Sequence, residues 1–297
     1  MHSLTGKKPL VWIPLFSIML LACGLSGPIA VPTNPIALPT STIILPSATS
    51  DPIMEAPSAT PAGREVSLGR ITMVLPEGLA SGVQDVHFPR AEGKDLPTWS
   101  RTPGHTQLRL VGYPLQAKAH EPQIYVFPAQ AYAELIPGAF ESIHRLDNIL
   151  YGPGGAIRDD GLPSVPFFNA QPVFASNIKV VMFQNGGGVR LLTQYAQYPA
   201  PANNCELFYH FQGLSRDGEY YILAVLPITV PVLAESSDPA AALPVGGIPY
   251  SYYVDQDADM EDYYTAITNL LDAAQAEAFT PSITQLDALI QSLWIMP

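Results

Sequence analysis

Ile178-Lys179-Val180-Val181-Met182-Phe183-Gln184-Asn185-Gly186-Gly187-Gly188-Val189-Arg190-Leu191-Leu192-Thr193 sets two β-rich runs on either side of an Asn-Gly step. Asn-Gly is a strong hairpin signal, because both residues tolerate the left-handed backbone that a two-residue turn needs. Ile178 to Phe183 is apolar at successive positions, the pattern of a central strand covered on both faces. Val189, Leu191, Thr193 and Tyr195 then alternate with Arg190, Leu192, Gln194 and Ala196, a period of two that belongs to a strand. Leu207 to Gln212 is a third run, Asp217-Gly218 a second tight turn, and Tyr220 to Leu226 a fourth run. Ile178 to Pro227 thus reads as an antiparallel meander of about four strands, with helices expected over one face.

Working outward, Val66 to Leu75 reads as one strand ended by Pro76-Glu77-Gly78, and Gln107 to Tyr113 and Gln123 to Pro128 as two more. Tyr132, Leu135, Ile136, Ala139, Phe140, Ile143, Leu146 and Leu150 recur at three and four, one face of a helix, which Pro137 either kinks or starts. Tyr151 to Gln171 is a Gly- and Pro-rich connection holding Asp159, Asp160, Phe167 and Phe168, and Ile228 to Pro249 is a second such connection, either a lid or a plain linker. Met260, Tyr263, Tyr264, Ile267, Leu270, Leu271 and Ala274 define a helix preceded by Asp255, Asp257 and Asp259. Thr280-Pro281 is expected to serve as cap and first residue of a last helix through Ile283, Leu286, Leu289, Ile290 and Leu293. The fold class that follows is α+β: an antiparallel sheet, a meander, covered by helices in a sandwich-like single domain over 64–297.

The N-terminus is organised differently. Lys7 and Lys8 precede an apolar run from Leu10 to Ala22, too short for a bilayer span, which needs about 20 residues. That run ends in Leu20-Leu21-Ala22-Cys23 with Gly24 behind it, and this tetrapeptide resembles the lipobox of bacterial lipoproteins. The resemblance implies removal of residues 1–22 as a signal peptide and a diacylglycerol on the Cys23 sulfur. Lipidation of Cys23 would hold the mature chain on the extracytoplasmic face of a cell membrane, which makes the membrane its first expected partner. Each buried lipid methylene contributes about 0.8 kcal/mol, so a two- or three-chain anchor is effectively permanent. From Cys23 to Gly63 the chain carries Pro28, Pro32, Pro35, Pro39, Pro46, Pro52, Pro57 and Pro61 among Thr, Ser and Ala, a disordered, polyproline-like tether. At ~3.1 Å per residue it reaches up to roughly 120 Å.

The formal net charge of −12 falls to −14 when Lys7 and Lys8 leave with the signal. A body this acidic disfavours nucleic acid and anionic headgroups as partners. There are two cysteines in all; with Cys23 lipidated, Cys205 has no partner, so no disulfide framework exists and Cys205 is expected as a small buried hydrophobe. Leu192-Thr193-Gln194-Tyr195-Ala196-Gln197, Asn203-Asn204, Glu206-Leu207-Phe208-Tyr209, Phe211-Gln212-Gly213-Leu214, Asp217-Gly218 and Tyr220-Tyr221 resemble a phrase of uncharacterised bacterial surface lipoproteins. That likeness implies location and a shared domain, with no activity attached. The element order is also similar to the Mog1/PsbP-like α/β/α sandwich, which implies a fold and carries no site residues.

No motif supplies chemistry. The acidic run Asp255 to Asp262 lacks the glycine and glutamate of a calcium loop, having Met260 and Ala266 at those places, and fits a helix N-terminus instead. His87, His105, His120, His144 and His210 are scattered without metal-ligand spacing. His210 shares a strand face with Phe208 and Gln212, with Arg190 and Glu206 on neighbouring segments, so a hydrogen-bonded sheet histidine and a small polar pocket are both open. Gly78-Leu79-Ala80-Ser81-Gly82 has the wrong spacing for a serine nucleophile. Gly152 to Gly155 and Gly186 to Gly188 lack the pattern of a phosphate loop, and the second cluster reads as a hairpin. The expectation is therefore a non-catalytic binding or envelope-associated domain with no cofactor, no metal, no catalytic residue and an unidentified protein or glycan partner. The alternatives are an extracytoplasmic hydrolase, whose carboxylates would converge in a pocket, and a solute-binding lipoprotein, which would need two α/β lobes.

Overall fold

The computed structural model describes residues 62–152, 157, 162–163, 169–238, 240–250 and 260–297. Cys23, the proline-rich segment as far as residue 61, Asp159, Asp160, Phe167, Phe168, Asp255, Asp257 and Asp259 lie outside the described residues.

The first element is a hairpin, β1 (Gly63–Leu68) and β2 (Ile71–Pro76). The single strand expected over Val66 to Leu75 is split at Gly69-Arg70, with Leu68 paired to Ile71 across a two-residue turn. Gly69 has φ +58°, a left-handed conformation that glycine enters without steric cost. β3 (Gly82–Phe88) follows, then β4 (His105–Val111) and β5 (Gln123–Pro128). The apolar helical face forms two helices, α1 (Ala129–Leu135) and α2 (Pro137–Tyr151). Ile136 between them is extended, φ −135° and ψ 118°, because a residue before proline is pushed out of the helical region, while Pro137 itself fits a first helical position.

β6 (Gln171–Pro172) leads into the meander β7 (Ser176–Phe183), β8 (Gly186–Thr193), β10 (Phe208–Ser215) and β11 (Tyr220–Pro227), with β9 (Tyr195–Ala196) pairing back to β6. α3 (Met260–Asp272), α4 (Ile283–Gln291) and β12 (Trp294–Ile295) close the chain. The main sheet is seven-stranded and antiparallel in the order β3-β4-β5-β11-β10-β8-β7. A smaller sheet has the order β1-β2-β12.

Both faces of the main sheet are covered, where helices over one face were expected. Phe127, Val189, Leu191, Leu214, Tyr221 and Leu223 pack against Tyr132, Ile136, Ala139 and Leu146 of α1 and its neighbour α2. Ile124, Phe211, Ile222 and Ala224 on the opposite face pack against Ile267, Leu271, Leu286 and Leu289 of α3 and α4 and against Ile71, Met73 and Leu75 of β2. Every residue of β8 and β10, and all of β11 after Tyr220, is buried, so these strands form the centre. β7, expected as the central strand, is the sheet's edge, with Lys179 and Val180 exposed. Its apolar character has another cause: α3 and α4 both pack on it, receiving Val181 and Phe183, while Ile178 packs with the α2 layer.

Two local expectations move by one or two residues. Phe183 pairs with Gly186, so the turn is Gln184-Asn185 and the glycines belong to β8. A Cβ on Gly188 would overlap the Gln212 carbonyl oxygen and the Phe211 ring, so this run is glycine because strands and rings approach closely. The cap of α4 is Ser282, whose hydroxyl accepts from Gln285 N at 3.1 Å; Thr280 is held outside the helix by mutual backbone bonds with Thr229, 2.9 and 3.0 Å. The connection after β11 is tied down: Asn204 Nδ2 donates to the Val230 and Leu233 carbonyls, each at 3.1 Å, and Asn204 Oδ1 accepts from Val230 N at 2.9 Å.

Candidate functional site

At one end of the main sheet, β3 finishes, β4 begins, β5 finishes and β11 begins, and the β1–β2 turn leans over this rim. The cleft between them has a volume of about 420 Å³, within the range of about 300–1,000 Å³ usual for ligand sites. Its register is set by the ladder: His87 pairs with Thr106, Phe88 with His105, Thr106 with Val126, and Pro128 with Tyr220. Arg70 and Ile71 come from the overlying hairpin turn. The residues lining the cleft include no aspartate or glutamate.

Arg70 donates through Nη1 to the Tyr220 hydroxyl, and its guanidinium carbon lies 5.6 Å from the centre of that ring, close enough for a cation–π attraction. No carboxylate pairs with Arg70 among the described residues. His105 stacks on Phe88 with centroids 5.3 Å apart and planes 13° from parallel, and sits 4.7 Å from the Phe127 ring. Its Nδ1 is 2.9 Å from the Pro103 carbonyl, which can only accept, so the proton is on Nδ1 and Nε2 keeps a lone pair. Burial lowers the pKa of His105, favouring the neutral ring. His87 Nδ1 is hydrogen-bonded to the Thr106 hydroxyl at 3.0 Å, and Asp85 Oδ2 lies 3.6 Å from its Nε2. By strand alternation His87, Thr106, Val126 and Tyr220 share the face that the β1–β2 hairpin covers, whereas Phe88 and His105 turn to the α1–α2 face with Tyr125 and Phe127. The cleft therefore brings Arg70 together with one imidazole, two hydroxyls and one phenol ring, and reaches Phe88 and His105 only around the rim of the sheet.

The pocket considered around His210, Arg190 and Glu206 does not assemble. His210 pairs with Leu191, which places Arg190, one residue along β8, on the opposite face of the sheet. There Arg190 Nε and Nη2 each approach an Asp287 oxygen at 3.2 Å, Nη1 donates to the Asn177 carbonyl, and the Tyr209 hydroxyl donates to Asp287 Oδ1 at 2.9 Å. Glu206 accepts from Asn203 Nδ2 at 3.3 Å.

His210 is sealed in a closed chain of donors on the α1–α2 face. Tyr221 donates its hydroxyl proton to Gln212 Oε1; Gln212 Nε2 donates to the Pro163 carbonyl and to His210 Nε2, the latter at 3.0 Å; His210 Nδ1 donates to the Ala224 carbonyl at 3.2 Å. Burial, above all, lowers its pKa to about 4. This is the hydrogen-bonded sheet histidine, with its donors and acceptors spent on the fold.

Other sequence landmarks prove structural. Gln194 Oε1 accepts from Asn203 N at 3.1 Å, and Asn203 Oδ1 accepts from Cys205 N and Glu206 N at 3.0 and 3.1 Å. The Gln194 and Asn203-Asn204 positions of the lipoprotein-like phrase are thus a buried clasp. Cys205 is half-buried, not enclosed as expected. Among the described residues no group of three or more His, Cys, Asp or Glu side chains is placed to hold a metal ion. Arg70 and Tyr220 were not legible as a pair, because they lie 150 positions apart and meet only through packing of the two sheets. No family model, no curated protein and no solved structure matches this chain.

Proposed function

We propose that this chain is a lipid-anchored, extracytoplasmic lipoprotein whose globular domain binds a partner through the Arg70 cleft. The placement rests on Lys7, Lys8, the apolar run and Leu20-Leu21-Ala22-Cys23. The observation that carries the binding role is the cleft itself: Arg70, which has no carboxylate partner among the described residues, stands with Tyr220, His87 and Thr106 at the solvent-facing rim of the sheet. Such a set holds and orients a ligand; a hydrolase of the two-carboxylate kind would need an acid pair about 5–10 Å apart, which this lining does not supply.

Cys23→Ser tests the placement. The expected outcome is loss of the globular part from the membrane fraction, or retention of the uncleaved precursor. Unchanged mature size together with an unchanged membrane fraction would overturn it.

A further inference from the structure

We propose that Asn185 is a deamidation site gated by the strand β12, and that its conversion to aspartate or isoaspartate releases that strand from the fold. The inference stands apart from the reading of the Arg70 cleft. It starts from the β7–β8 turn, Gln184-Asn185, which grips the segment that follows α4. Gln184 N donates to the Leu293 carbonyl at 3.0 Å and Gln184 Nε2 to the Gln291 carbonyl at 3.0 Å. Asn185 Nδ2 donates to the Ile295 carbonyl at 2.7 Å, and Asn185 Oδ1 accepts from Ile295 N at 3.1 Å. The carboxamide thus pairs with Ile295 as a neighbouring strand would. On its other side β12 pairs with β2, Trp294 with Thr72 and Ile295 with Ile71, and Met296 N donates to the Arg70 carbonyl at 2.8 Å. Asn185 therefore ties the turn of the main sheet to the small sheet.

These contacts fix both residues of the Asn-Gly step. A Cβ on Gly186 would come within 2.2 Å of the Phe183 ring and 2.4 Å of the Leu214 carbonyl oxygen, so packing demands glycine. An aspartate at 185 would have no donor for the Ile295 carbonyl, so the clasp demands an amide. The fold thus retains a dipeptide prone to cyclise, because without a Cβ on Gly186 its nitrogen meets little hindrance on the way to the Asn185 side chain.

In that reaction the Gly186 nitrogen gives its proton to solvent base and attacks Asn185 Cγ; the N–Cγ bond forms, the Cγ–Nδ2 bond breaks, and ammonia leaves with a proton from water. Water then adds to either carbonyl of the resulting imide and opens it to aspartate or isoaspartate. In the closed turn the carboxamide is held on Ile295, the Asn185 carbonyl accepts from Arg216 N at 2.8 Å, and Gly186 is paired with Phe183. Cyclisation therefore proceeds from the opened turn, at a rate set by the open population. Its product cannot close again. Aspartate turns an oxygen toward the Ile295 carbonyl where Nδ2 stood, and isoaspartate adds a backbone carbon to a two-residue turn. With β12 released, Met296 leaves the Arg70 carbonyl and the hairpin turn loses a brace.

Peptide mapping by mass spectrometry tests this on the purified full-length protein at mildly alkaline pH, through the mass gain at Asn185 that marks replacement of NH2 by OH. Conversion in the folded protein is expected to be about tenfold slower, or more, than in the same protein held in urea. Ile295→Pro, which removes the donor to Asn185 Oδ1, should speed conversion of the folded protein about fivefold, the effect of one hydrogen bond. That variant also disturbs a buried isoleucine. Ser292→Ala is therefore its companion: it removes a hydroxyl 2.9 Å from Val74 N and 3.2 Å from the Val74 carbonyl, loosening the same segment with the clasp residues intact. Circular dichroism reports the fold of both. In Asn185→Asp, the product itself, the Met296 amide hydrogen should exchange about fivefold faster than in the wild type. Equal rates in folded and urea-unfolded protein, or no acceleration in either folded variant, would overturn the gating. Wild-type exchange at Met296 in Asn185→Asp would overturn the release of β12.

Discussion

Arg190 and Arg70 carry the same side chain into opposite settings. Arg190 lies between β8 and α4 with its side chain 7% exposed, held by both oxygens of Asp287, while Tyr209 and the Asn177 carbonyl complete the cluster. Arg70 stands at the solvent rim with a phenol as its partner. In the first region every charge is answered from within, and the cluster ties β7, β8, β10 and α4 together. In the second, no carboxylate among the described residues answers the cation. A guanidinium whose hydrogen bonds are spent on the fold reports on stability, and one whose donors face water reports on what the protein meets.

The contrast is sharpest where the sealed pair is broken. Asp287→Ala leaves Arg190 buried without its counter-charge and removes the acceptor of Tyr209, and the expected loss of unfolding free energy is about 3–5 kcal/mol. Urea denaturation measures it. Replacing both partners, Arg190→Met with Asp287→Leu, should recover most of that loss, since two apolar side chains avoid the desolvation penalty altogether. If Asp287→Ala unfolds at the wild-type urea midpoint, the seam is not the closed cluster described here.

Acid should act on the sealed region next. His210 is held neutral with a pKa near 4, against 6.5 for a free imidazole, chiefly by burial, and His120 is likewise lowered to about 4 by burial. Between pH 6.5 and 4 the unfolded chain binds protons that the folded chain refuses, so stability rises with pH across this window and falls as the solution is acidified through it. For His210 the whole effect is on the order of 3 kcal/mol. His210→Gln should be less stable near neutrality, because the Ala224 carbonyl and Gln212 lose their ring partner, yet its stability should fall less steeply on acidification. A wild-type slope that survives intact in His210→Gln would remove His210 from the account.

The meander was legible because its strands are strongly apolar and its turns carry Asn-Gly and Asp-Gly. What escaped is what strand pattern does not encode. β3 was missed because Gln84, Asp85 and His87 face water on an edge strand, leaving no clear alternation to read. β7 was placed in the middle because being apolar on both faces has two causes, flanking strands or flanking helices, and here α3 and α4 supply the cover. The cleft suffered twice: without β3, His87 has no place beside Thr106, and without the hairpin split at Gly69, Arg70 is one more residue within a strand. Its aromatic rings were visible as residues, but their stacking follows from the register of strands brought together across the fold.

The smallest effect on stability is expected where the effect on binding is largest. Arg70→Ala removes an exposed side chain on a two-residue turn, its one hydrogen bond to Tyr220, and a cation–π contact that solvent screens. Surface changes of this kind stay within about 0.5 kcal/mol, and the hairpin register is set by the Leu68 to Ile71 pairing and by Gly69, which the substitution leaves alone. Thermal unfolding of Arg70→Ala should therefore overlay the wild type, in contrast to Asp287→Ala. A large drop in melting temperature would mean that Arg70, like Arg190, is committed to holding the two sheets together; the difference between the two arginines would vanish, and with it the reason to read the cleft as a site for an outside partner.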